Sequence, residues 1–100
     1  MFDKSNCTRN MYDTSVQDNI GCIGILKPEA LKEIYRKKEY QVFRICGGFG
    51  AYPDKMGNAV YGTFCFDGEE CRMERYNFIG IANSDVVTYA ERFEKERSNA

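Results

Sequence analysis

The side chains that could do chemistry in this chain of 100 residues are few, and histidine is not among them. Without it, Ser-His-Asp and Cys-His nucleophilic pairs cannot be assembled within one chain. Five cysteines remain: Cys7, Cys22, Cys46, Cys65 and Cys71. None forms a C-x2-C pair, so a structural zinc site has no spacing to build on. Cys46 is the best nucleophile on offer, at the end of a strand-like run beside a glycine loop. A cysteine so placed more often behaves as a small buried hydrophobe. Gly48-Phe49-Gly50 supplies a G-x-G, but Pro53 stands where a dinucleotide fingerprint needs its third glycine, and no helix pattern follows. No catalytic residue, metal or cofactor is expected, and the chain reads as non-enzymatic.

Binding chemistry has more to draw on. Phe49 and Tyr52 put two aromatics on a long loop rich in glycine, Gly47 to Asn58, and long loops in small domains often carry function. Arg75 falls on the apolar face of a strand pattern, where an arginine must reach water or find a partner such as Asp54 or a ligand. Lys27 to Arg44 carries six basic and three acidic residues, with Lys32, Arg36, Lys37 and Lys38 closest together. That group could meet phosphate or an acidic partner, or simply be a solvated face. The net charge of −1 argues against binding nucleic acid through bulk charge. Glu70, Arg72 and Glu74 alternate along one face of a strand, a spacing suited to mutual charge compensation.

These residues must be positioned by one small domain, since the chain has no room for two cores. Its clearest structural signal runs from Ala59 to Ala82, two strand-like runs on either side of Asp67-Gly68. That dipeptide predicts a two-residue type I′ turn. Phe66 then faces Glu69, Phe64 faces Cys71, Gly62 faces Met73 and Val60 faces Arg75. One face is apolar and the other polar, and Cys65 and Cys71 point to opposite sides. Upstream, Ile20 to Leu26 predicts a buried strand, Pro28 to Lys37 a short amphipathic helix with Leu31, Ile34 and Tyr35 inward, and Tyr40 to Cys46 a second strand. Cys46 to Asn58 reads as a loop. Downstream, Asn77 to Ala82 extends the hairpin or forms another strand, and Asn83 or Ser84 caps a last helix with Val86, Tyr89, Ala90 and Phe93 on its apolar stripe. The expected fold is α+β, a small curved antiparallel sheet in the order β-α-β-β-β-α with one or two packed helices. Residues 1–19 are expected to be a flexible arm, 20–95 the domain and 96–100 a frayed tail.

Leu26-Lys27-Pro28-Glu29, Tyr35-Arg36, Gln41-Val42-Phe43, Gly47-Gly48-Phe49-Gly50 with Pro53, Gly57, Val60-Tyr61-Gly62, Asp67-Gly68-Glu69 and Arg75 through Gly80 form a further pattern. Across about residues 23–82 the chain resembles a small uncharacterised domain in accessory proteins of conjugative and other mobile elements of gut Firmicutes. The resemblance implies a genetic setting and transfers no catalytic residue; that family has Asp where this chain has Asn77. A protein partner is the first expectation, with Phe49, Tyr52, Arg75, Arg36 and Lys37 as its candidate contacts. The alternatives are nucleic acid, met through the Lys32–Arg44 basic group, and inhibition of a host nuclease. No apolar run approaches the ~20 residues of a membrane span, and the polar start lacks the apolar core of a secretory signal. No membrane contact and a cytoplasmic address are expected, with the cysteines reduced.

Overall fold

The computed structural model describes residues 1–50 and 58–99. Six strands form one sheet: β1 (Cys7–Arg9), β2 (Ile23–Leu26), β3 (Val42–Phe49), β4 (Ala59–Phe64), β5 (Glu70–Glu74) and β6 (Phe78–Ala82). One α-helix follows, α1 (Ser84–Ser98). The spatial order is β1-β6-β2-β3-β4-β5, with every neighbouring pair antiparallel. The α+β class stands, but the small curved sheet does not: the sheet is open, neither curled nor closed, with β1 and β5 at its edges. Its residues explain why. A sheet wrapped round one core needs a single apolar face, whereas this one carries a buried cluster on each. Ile23, Ile25, Val42 and Cys65 pack with Val86 and Ala90 of α1. Leu26, Phe43, Ile45, Val60 and Phe78 pack on the other face with Met11, Val16 and Leu31.

That second layer is not helical. The segment expected to be a helix over Pro28–Lys37 is a chain of 3-10 turns, Pro28–Ala30, Glu33–Tyr35 and Lys38–Tyr40. Leu31, at φ −98° and ψ 147°, is extended between the first two. The apolar spacing misled because only Leu31 is buried; Ile34 is 71% exposed. The segment's ends are also tied together, since Leu26 N–H donates to Gln41 O at 2.8 Å. Gln41 Nε2 adds a bond to Leu26 O at 2.9 Å. A loop closed in this way runs in turns, and ten residues are too few for a helix to persist on propensity alone.

Residues 1–19, expected as a flexible arm, are packed. β1 pairs with β6, Met11 and Val16 are almost fully buried, and Phe2 stacks edge-on against Tyr89 at 5.4 Å. The hairpin forms, but two residues out of the expected register: Gly62 faces Cys71 and Val60 faces Met73. Asp67 lacks the positive φ of a type I′ turn; Gly68, at +78°, has it. Cys65 N–H leaves the hairpin for Val42 O, Gly68 N–H donates to Phe64 O, and Asp67 Oδ1 accepts from Glu69 N–H. The result is a four-residue connection, 65–68. A slip of two preserves side-chain parity, so Cys65 and Cys71 still face opposite ways. β3 continues to Phe49, three residues past the expected strand end, across a bulge between Ile45 and Gly47 that leaves Cys46 unpaired. At the C-terminus, Asn83 Oδ1 caps α1 by accepting from Val86 N–H, and the helix runs on into the expected tail.

Candidate functional site

An open hollow with an aromatic wall lies where the turn segment meets the hairpin. It encloses about 480 Å³. Leu31, Tyr35 and Tyr40 form one side, Phe64 of β4 with Cys71 and Met73 of β5 form the other, Asp67 and Glu69 stand at the turn end, and Lys32 also lines it. The geometry follows from strand parity. On β5, Cys71 and Met73 share one face and Glu70 and Arg72 the other, so the sulfur-bearing side chains enter the groove while the charged ladder does not.

Tyr40 organises the wall. Its ring meets Tyr35 at 4.9 Å, Phe64 at 6.3 Å and Phe66 at 5.1 Å between centroids. Phe64 is seated in turn on buried Phe43 at 5.4 Å, so this side of the groove is braced by the core. Burial first, then the nearby Asp67 carboxylate, pushes the Tyr40 hydroxyl above its ordinary value and keeps it a neutral donor. Arg36 holds the other wall from behind, donating its Nε–H to Pro28 O at 3.2 Å and Leu31 O at 3.1 Å. Tyr35 remains 41% exposed. A hollow of this size, apolar with a few polar groups at one end, is built to receive side chains.

The residues singled out from sequence do not converge there. Tyr52 lies outside the described residues, as do Asp54 and most of the loop that carries them. Phe49 is half exposed at the end of β3, Lys37 is exposed, and Arg36 serves as a brace. Arg75 is 1% exposed and does not line this groove. Its Nη2 donates to Gly50 O at 2.5 Å, and its Cζ lies 4.7 Å from the Tyr12 ring centroid. Its Nε and the Oδ1 of neighbouring Asn58 are buried without a hydrogen-bond partner among the described residues. Arginine here is an internal strut. Asn77 accepts from Glu74 N–H through Oδ1 at 2.8 Å and caps the turn after β5, a task a carboxylate would perform equally well.

The basic group is dispersed. Arg44 donates to Glu94 at 2.6 Å and to Glu91 at 3.4 Å, fastening α1 to β3, and these carboxylates hold its guanidinium well above its ordinary value. Lys38 Nζ sits over the rings of Phe2 and Tyr89 at 4.9 and 5.1 Å. On the opposite face of the hairpin, Cys46, Tyr61, Thr63, Glu70 and Arg72 line a shallower hollow of about 430 Å³. Arg72 there bonds Glu74 at 2.9 Å, the compensation expected of the ladder. Cys46 Sγ lies 3.5 Å from Arg44 O, an acceptor that cannot remove its proton. Burial pushes the Cys65 thiol up to about 12 and leaves it inert. Among the described residues no group of three or more His, Cys, Asp or Glu could hold a metal, and no helix is long and apolar enough to cross a membrane.

The groove-lining residues Tyr35, Tyr40, Phe64 and Met73 carried one usable signal in the sequence. Each belongs to an aromatic or apolar pattern, but their meeting depends on the turn segment folding over the hairpin, which periodicity does not encode. A scan against protein-family models finds no match, and searches of curated proteins and of solved structures return none either.

Proposed function

We propose that this chain is a non-enzymatic protein-binding module whose aromatic groove receives side chains of a partner segment. The observation that carries the reading is the groove itself: two largely apolar walls, the Phe64 side braced by the core, open to solvent and with Lys32, Asp67 and Glu69 as its charged lining. Aromatic and methionine side chains are the types that dominate the centres of protein interfaces. The mobile-element resemblance would give such a module a genetic setting and transfers no activity to it. Nucleic-acid binding is less well supported, because Arg44 is engaged by two carboxylates and Lys38 by two rings.

Selection from a random peptide display library against the protein, and against Tyr35→Ser, tests the reading. Tyr35 is exposed enough to change without unfolding the chain. Peptides with apolar side chains should be enriched by the unaltered protein and lose binding to the variant. No enrichment, or equal retention by both, would overturn it.

A further inference from the structure

β5 is an edge strand beside the groove, and the hairpin register identifies which of its backbone groups are uncommitted among the described residues. Phe64 N–H donates to Glu69 O at 3.0 Å and Arg75 N–H to Asn58 O at 2.8 Å. Between them the ladder sets Gly62 against Cys71 and Val60 against Met73. In an antiparallel ladder alternate residues turn both N–H and C=O toward the same neighbour. Residues 69, 71, 73 and 75 therefore address β4, and Glu70 and Arg72 present their groups to the open side. Glu74 would do the same, but its N–H is donated to Asn77 Oδ1, which closes the edge there.

We infer that β5 takes an extended peptide as an added antiparallel strand; this rests on the groove reading and names the form of its ligand. Glu70 and Arg72 each exchange an N–H and a C=O with the incoming chain, at positions about 7 Å apart. Parity then fixes the occupant. Peptide residues facing Met73 and Cys71 point into the groove and must be apolar. The residue facing Glu70 lies beside its carboxylate on the other side of the sheet. The one facing Glu69 enters the groove end where Asp67 also stands. Arg72 is compensated by Glu74, whereas Asp67, Glu69 and Glu70 have no ion pair among the described residues. Read from its N-terminus, the ligand is apolar, any residue, apolar, basic, basic. A second copy of β5 fits less well: with Arg72 facing Glu70 in both directions, Met73 would meet Glu69.

The probe is a fluorescent, end-blocked peptide carrying Leu-Thr-Val-Lys-Lys between glycines, followed by anisotropy. N-methylation of Thr or of the first Lys removes a hydrogen bond to β5 and should weaken binding roughly tenfold. N-methylation of Val, whose N–H points away, should leave it unchanged. Glu70→Lys, at an exposed position, should also weaken binding roughly tenfold and be rescued by a peptide with Glu in place of the first Lys. Equal tolerance of methylation at all three positions, with Tyr35→Ser still weakening binding, overturns the added strand and leaves the groove reading standing. A parent peptide that does not bind overturns the motif. A concentration-dependent dimer in sedimentation that Glu70→Lys dissociates assigns the edge to a second copy and overturns it as well.

Discussion

Arg75 combines full burial with a charge that meets only a carbonyl and a ring among the described residues. Removing a guanidinium from water without a carboxylate is costly, so its volume and its bond to Gly50 must repay that cost. Gly50 shows how tight the site is: a Cβ there would lie 2.9 Å from both Arg75 Nη2 and a Val16 methyl. Arg75→Ala should lower stability by about 3 kcal/mol in urea unfolding, through the cavity and the lost donor. Arg75→Met, which keeps most of the volume and discards the charge, should lose less. A Met variant as unstable as Ala would show that the guanidinium is what the site requires. The thiols give a second test. Cys46 is exposed and Cys65 fully buried, so iodoacetamide should modify Cys46 in the native protein and reach Cys65 only on unfolding. Because the folded Cys65 thiol titrates near 12 against an ordinary value of 9.0, the unfolded chain loses this proton first as pH rises. Stability from this group is full below about pH 9 and declines between there and about 12. Cys65→Ala should flatten that decline; an unchanged slope would assign it to other groups.

The connection between β4 and β5 depends on one backbone angle. Gly68 sits at φ +78°, and a Cβ there would come 2.5 Å from the Arg97 guanidinium, whose Nε–H also bonds Cys65 O at 3.1 Å. Gly68→Ala should therefore lower stability by about 1–2 kcal/mol, read as a shifted urea midpoint; a neutral outcome would mean the turn can change type. The same turn marks how far the sequence could be read. Alternation over Val60–Phe64 and Glu70–Glu74 encodes strands and their faces, and Asp67-Gly68 encodes a turn between them. The register followed instead from Cys65, drawn to β3 by a bond to Val42, a partner that is remote in sequence. The helix expected over Pro28–Lys37 failed for a related reason, since the Arg36 side chain bonds the Pro28 and Leu31 carbonyls that a helix would have used, and Gln41 ties the segment's end back to Leu26. α1 was legible because its signals are local, an Asn83 cap and an apolar stripe. The groove was not, because its walls come from both of the misread segments.

At the scale of the molecule, the N-terminal segment completes the fold. β6 lies between β1 and β2, so without residues 1–19 it would become an edge strand. Arg9 Nη2 bonds Asn19 Oδ1 at 2.6 Å, and Val16 N–H donates to Gly50 O at 2.9 Å, tying the segment to itself and to the end of β3. Tyr12 supplies the ring under Arg75. Met11 and Val16, 2% and 0% exposed, belong to the same buried cluster as Phe43, Ile45 and Phe78. Burial of two such side chains is worth roughly 3–6 kcal/mol, against a total of about 5–15 kcal/mol for a domain. Deleting residues 1–19 should therefore abolish cooperative unfolding or bring its midpoint close to zero denaturant. The double substitution Met11→Ala with Val16→Ala separates burial from strand pairing, and should cost about 4 kcal/mol while retaining the sheet signal in far-UV circular dichroism. A truncated chain that unfolds at the midpoint of the whole protein would return the segment to the status of an arm, and the face it covers would then stand open beside the groove.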